Sequence, residues 1–132
     1  MTKPRRQSSG FSNTPKSQPS RKKHAQSSAD HLIKEQQAVA LINQGKLQDA
    51  EEIYRELIAA GTSNHFVYGN LAAICLVQNR PDKSILLLRK ALQIKPNYPA
   101  AHYNLGVALK KQGNIGAAIT SYKSALQLNP NY

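Results

Sequence analysis

The stretch Lys90–Tyr98, KALQIKPNY, returns 34 residues later as Ser124–Tyr132, SALQLNPNY, with six of nine positions unchanged. Two copies at a fixed interval, each closing on Pro-Asn-Tyr, signal an internal repeat, and repeats of this length decide a fold before any single motif does. Placing Pro96 on Pro130 sets the register, and one further step back lands on Thr62. Three blocks follow, residues 31–64, 65–98 and 99–132. The third is marked by Leu105, Gly106, Ala118, Tyr122, Ala125 and Pro130. The second answers with Leu71, Ala72, Ser84, Leu88, Ala91 and Pro96, and the first, more distantly, with Gln37, Ala38, Ala50, Tyr54, Leu57 and Thr62.

Each block is expected to fold as two helices. Ala100–Gln112 places apolar residues at Tyr103, Leu105, Val107, Ala108 and Leu109, and Gly116–Leu128 does so at Ala118, Ile119, Tyr122, Ala125, Leu126 and Leu128. Between the two lies Gly113, matched by Gly45 and Asn79, residue types that tolerate the left-handed backbone ending a helix. Pro81 suits the first turn of a helix, where its missing N–H costs little. Pro96 and Pro130 close the second helices. Ser27–Asp30, SSAD, has the spacing of a capping box and predicts that the first helix starts there. Gly106, Ala72 and Ala38 share one slot, which predicts close helix crossings there. Since Gly inside a helix costs up to about 1 kcal/mol against Ala, Gly106 predicts backbone proximity, with Tyr122 filling the space beside it.

The N-terminal 30 residues differ in kind. They hold seven basic residues and one acid, Asp30, whereas residues 31–132 hold eleven basic and six acidic residues, a net +5 within a total of +11. Seven Ser, three Gln and three Pro stand there beside only two large apolar residues, Met1 and Phe11. Such a segment lacks the apolar surface to offset its ordering entropy, so a disordered basic tail is expected over residues 1–30. Its charge makes a weak anionic partner, nucleic acid, lipid headgroup or an acidic protein surface, one reading; a solubilising extension is the other. No apolar run is long enough to span a membrane and no secretory signal is evident, which predicts an intracellular, cytoplasmic protein. The lone cysteine, Cys75, sits in an apolar helical pattern and reads as a packing residue.

On these residues the chain resembles the tetratricopeptide repeat family over residues 31–132. The third block is the strongest match, departing from the family pattern at His102 where Trp is usual. The second has Cys75 where Tyr is frequent, and the first lacks three marks, with Lys34, Gln37 and Thr62 in their slots. The resemblance implies an all-α fold, a right-handed α-solenoid of antiparallel helix pairs. It implies a scaffold or adaptor, not an enzyme, whose first helices line a concave groove for a peptide or a partner's helix. The family's groove slots fall on Leu32, Glu35, Val39, Ile42 and Asn43, then Phe66, Gly69, Asn70, Ala73, Leu76 and Val77, then Tyr103, Asn104, Val107, Lys110 and Lys111. Members that clamp acidic chaperone tails use Lys, Asn and Arg at slots that here hold Glu35, Val39, Asn70, Ala100 and Asn104, so that use is not expected. Gln36, Asn70 and Asn104 recur at 34-residue spacing, as in the amide ladders of arrays fused to O-GlcNAc transferases, although Asn in this slot is also the family's ordinary residue.

No catalytic constellation accompanies the repeats. His24, His31, His65 and His102 show no metal-ligand spacing, and no cofactor or metal is expected. Asp49, Glu51, Glu52 and Glu56 lie along one helix and read as its solvated face. After Tyr132 no polar capping helix follows the last block. Its outward side is expected to meet further repeats, a capping helix or a second copy, and the alternative function is the N-terminal region of a larger glycosyltransferase- or sulfotransferase-like enzyme, selecting its protein substrate.

Overall fold

The computed structural model describes Thr2, Pro4 and residues 19–132, with the backbone alone for residues 19–26. It contains six helices: α1 (Pro19–Asn43), α2 (Leu47–Ala59), α3 (His65–Val77), α4 (Pro81–Ile94), α5 (Pro99–Lys111) and α6 (Ile115–Leu128). They form antiparallel pairs α1–α2, α3–α4 and α5–α6, which stack through α2 on α3 and α4 on α5.

The turn inside each pair repeats because its residue type repeats. Gly45, Asn79 and Gly113 adopt φ of 76°, 57° and 84°, the left-handed conformation the sequence predicts at these positions. Each turn closes with the same bond, from the N–H of Lys46, Arg80 or Asn114 to the carbonyl of Leu41, Cys75 or Leu109. Repeats also end alike where proline is present. The residue before proline is pushed out of the helical region, and Lys95 (φ −134°, ψ 96°) and Asn129 (φ −143°, ψ 98°) are nearly superimposable. The first repeat, with Thr62 in place of proline, ends instead on Gly61 at φ 82°, with Thr62 N–H bonded to the Leu57 carbonyl at 3.1 Å. That residue supplies the stop signal the first block lacks.

One boundary departs from expectation. Helix α1 starts at Pro19 and runs through Ser27–Asp30, so the capping-box spacing does not mark its start. Proline is well placed at a first helical position, and no Gly or Pro interrupts the sequence from Ser20 to Asn43. Residues 19–30 are therefore helical rather than part of an unordered tail; the expectation for residues 5–18 lies outside the described residues.

The core is continuous through the stack. Tyr54, Leu57, Val67, Leu71 and Cys75 close the space between α2 and α3 with Ala38 and Ala50. Ala72, Leu88 and Ala101 join the second pair to the third, and Leu76, Ile85, Ala108, Leu109 and Ala118 extend that junction. Each fully buried leucine contributes about 1.5–3 kcal/mol. Ser84, also without exposure, donates from its hydroxyl to the Ala72 carbonyl at 2.9 Å, which lets α3 and α4 approach closely. At Gly106 an added Cβ would stand 2.6 Å from Tyr122 Cε1, the proximity that glycine predicts.

Candidate functional site

Helices α1 and α3 present their faces to the same side of the stack and, with Tyr54 of α2 beneath them, enclose a pocket of about 430 Å³. Five of the residues expected in the groove are brought together here: Leu32, Glu35, Val39, Phe66 and Asn70. Leu32 and Phe66 are 54% and 52% exposed, apolar surface left uncovered by the chain's described residues. Gln36, Asn64 and Val67 complete the wall.

The polar groups of the pocket are tied to the fold. Asn70 Nδ2 donates to the hydroxyl of Tyr54 at 3.1 Å, fixing the phenol at the pocket floor. Burial pushes that phenol's pKa up, and the negative field of Glu35 adds to the rise against the lowering effect of the Asn70 bond. Asn64 serves two elements at once. Its Oδ1 accepts from the Phe66 N–H at 3.0 Å, capping α3, while its Nδ2 donates to Glu35 Oε2 at 2.9 Å. Tyr54 and Asn64 were not among the expected groove residues, since each lies outside the first helices; the Asn64 cap position was the available signal.

The other expected residues are distributed differently. Ile42 packs against the first core cluster and Ala73 is half-buried. Leu76 is a correction: only 9% exposed, it packs with Ile85, Ala108 and Leu109 between the second and third pairs and offers nothing to a ligand. Its neighbour Val77 is 73% exposed at the end of α3. Tyr103 is exposed on α5, flanked by Tyr122 and Tyr132 with ring centroids at 5.7 and 5.4 Å. Asn104 and Val107 are half-buried, and Lys110 and Lys111 are exposed, with Lys111 Nζ 3.5 Å from the Leu76 carbonyl. Asn43 is exposed, whereas Gly69 is buried under the ring of Tyr98, whose Cε1 would lie 3.0 Å from an added Cβ.

A regularity appears in these contacts. The last residue of each block folds back on the fifth residue of the same block: Asn64 on Glu35, Tyr98 on Gly69, Tyr132 on Tyr103. In the second block this builds an aromatic cluster, with Tyr98 edge-on to Phe66 at 5.6 Å and to His65 at 5.1 Å. Burial, helped by Lys95, holds the His65 imidazole below its usual pKa. His102, in the slot where tryptophan is usual, contacts the Pro96 carbonyl through Nε2 at 2.9 Å, so that nitrogen carries the proton.

Two readings of chemistry resolve clearly. Cys75 is fully buried and burial raises its thiol pKa, in line with a packing role. Glu51 is not on a solvated face: 8% exposed, it accepts from Arg55 Nη2 at 2.7 Å, Arg80 Nη2 at 2.8 Å and Gln78 Nε2 at 3.3 Å. Glu56 meets Lys34 at 3.1 Å on the surface. Among the described residues no three His, Cys, Asp or Glu gather to hold a metal, and no helix is long and apolar enough to cross a membrane.

Comparison with known proteins gives the same repeat. Residues 99–132 match the family described as tetratricopeptide repeat, and residues 72–113 match a second one described as TPR repeat. The human protein O-mannosyl-transferase TMTC1 is 32% identical over 98 residues, which is 71% of this chain and 11% of that protein. The Hsp70-Hsp90 organizing protein of Triticum aestivum is 25% identical over 92 residues, 70% of this chain and 16% of that protein. The chain thus spans well under a quarter of the length of either relative. The second TPR of Spaghetti (RPAP3), solved bound to the HSP90 peptide SRMEEVD, shares the fold with a TM-score of 0.78 at 22% identity, over 85% of this chain and 99% of that one. The register set by Pro96 and Pro130 is the register of a known repeat, and the chain belongs to the tetratricopeptide repeat family.

Proposed function

We propose that the chain is a protein-binding scaffold that holds a peptide or helical segment of a partner along the face formed by α1, α3 and α5. The observation that carries this is the pocket between α1 and α3, where Leu32, Val39 and Phe66 stand exposed around fixed polar groups. Clustered apolar surface with a few oriented hydrogen-bonding groups is the usual make-up of a recognition site. The exposed ring of Tyr103 extends apolar surface onto the third repeat. The solved relative holds an acidic peptide, but the slots for a carboxylate clamp here contain Glu35, Val39, Ala100 and Asn104, which lack the necessary cations.

The test is a random peptide library selected on the full chain, followed by Val39→Asp, which puts a charge on the pocket wall without touching the buried core. Selected peptides are expected to lose at least about tenfold in affinity, equivalent to 1.4 kcal/mol, while the variant keeps its helical circular dichroism. Peptides that bind the folded variant unchanged would overturn the groove reading.

A second reading is favoured by the match to an O-mannosyl-transferase, of which this chain covers 11%. In that reading the array belongs to a larger glycosyltransferase-like enzyme and selects its protein substrate. Mass determination of the endogenous protein, captured through residues 31–132, distinguishes the two: a mass near 14.5 kDa excludes the enzyme reading.

A further inference from the structure

The pocket has a sign of charge opposite to that of the molecule around it. The chain carries a formal +11, yet among the described residues no Lys or Arg lines the pocket, and the one acidic or basic side chain there is Glu35. Lys34, the adjacent residue, is directed to Glu56 at 3.1 Å. Glu35 Oε2 accepts from Asn64 at 2.9 Å, and among the described residues Oε1 accepts nothing. An occupant that displaces water from this wall must therefore replace the hydration of a carboxylate. A purely apolar side chain leaves that charge unsatisfied, and an acidic one adds repulsion. A lysine or arginine satisfies both halves of the site, because its aliphatic stem can lie along apolar surface while the cationic head reaches a carboxylate. The half-exposed ring of Phe66, packed in part by His65 and Tyr98, offers a cation further contact.

We infer that the pocket between α1 and α3 takes a lysine or arginine side chain of the bound segment, its stem against Leu32, Val39 and Phe66 and its cation on Glu35. This rests on the groove reading above and narrows it: the partner is a basic segment, opposite in charge to the acidic peptide of the solved relative. Glu35 is then the residue that sets specificity, and Asn64 the residue that positions it.

The experiment selects a random peptide library, displayed on messenger RNA, in parallel on the full wild-type chain and on Glu35→Lys, at about 0.15 M salt so that long-range attraction is screened. The best wild-type peptide is then measured by fluorescence anisotropy against Glu35→Gln, which keeps an oxygen acceptor for Asn64 but removes the charge. The expected result is enrichment of Lys or Arg beside apolar residues in the wild-type pool and of Asp or Glu in the Glu35→Lys pool. Affinity for Glu35→Gln should fall about tenfold. A wild-type pool without enrichment of Lys or Arg, or equal affinity for Glu35→Gln, overturns the inference. If such peptides still depend on Val39, the groove reading survives and only the cation is lost. A pool that is empty, or indifferent to Val39→Asp, overturns both.

Discussion

The two seams of the array use one slot in opposite ways. In the second pair the slot holds Ile85, buried against Ala108 and Leu109 of the third. In the first pair, 34 residues earlier, it holds Glu51, equally buried but bonded to Arg80 and Gln78 at the turn between α3 and α4. One seam is closed by apolar packing, which is tolerant of direction. The other is closed at its edge by a charge-assisted network, which fixes where the α3–α4 turn sits on α2. The repeat dictates that the slot is covered, and the neighbour decides by what chemistry.

The largest expected effect comes from placing charge in the apolar seam. Leu76→Asp buries a carboxylate among the apolar side chains of Ile85, Ala108 and Leu109, with Lys111 Nζ, 3.5 Å from the carbonyl of residue 76, as its neighbouring cation, at a cost of about 3–5 kcal/mol. Urea denaturation should show the third pair separating from the rest or the cooperative transition disappearing; a loss under about 2 kcal/mol would mean that water reaches the seam. Next comes Glu51→Ala, which strands Arg80 and Gln78. Arg80 is about one-third exposed and can rehydrate, so a loss of about 2 kcal/mol is expected. The comparison is sharpest in Glu51→Ile combined with Arg80→Ala, which rebuilds the first seam in the image of the second. That double variant should recover to within about 1 kcal/mol of wild type, and failure to do so would show that the network does more than fill its slot.

The smallest effect is pH dependence. Burial alone would raise the Glu51 carboxyl, but hydrogen bonds from Arg80 and Gln78 and the charges of Arg55 and Arg80 hold it below its ordinary 4.5. A depressed folded pKa contributes stability that is complete above the unfolded value and disappears as pH falls through the folded one. Wild type should therefore lose its advantage over Glu51→Ala below about pH 4.5. A gap in melting temperature that stays constant down to pH 3 would remove the carboxylate from the account.

Much of this architecture is written in short-range signals. Pro96 and Pro130 set the register, Gly45, Asn79 and Gly113 place the turns, and Gly106 announces its contact with Tyr122. Those signals are local because they constrain their own backbone. Most of the misses are questions of what lies opposite. Leu76 occupies a groove slot by number but faces Ile85 and Leu109 in space, and Glu51 reads as solvated until Arg80 is brought to it. The same applies to the pocket: Leu32, Glu35, Val39, Phe66 and Asn70 were legible from the repeat, whereas Tyr54 and Asn64 enter it from other elements. The start of α1 was misread because Ser27–Asp30 has a capping pattern inside a stretch that nothing interrupts.

The fold-back of Asn64, Tyr98 and Tyr132 bears on how such arrays can be recombined. Each partner residue lies in the same block, so a cassette exchanged at the borders 64/65 and 98/99 carries its own latch. A border moved three residues upstream, to 95/96, would separate Tyr98 from Gly69 and leave a notch in the recipient's inner wall. The unit that can be shuffled is therefore the 34-residue block together with its final side chain, and chimeras designed on helix ends alone would open holes along the face meant for a partner.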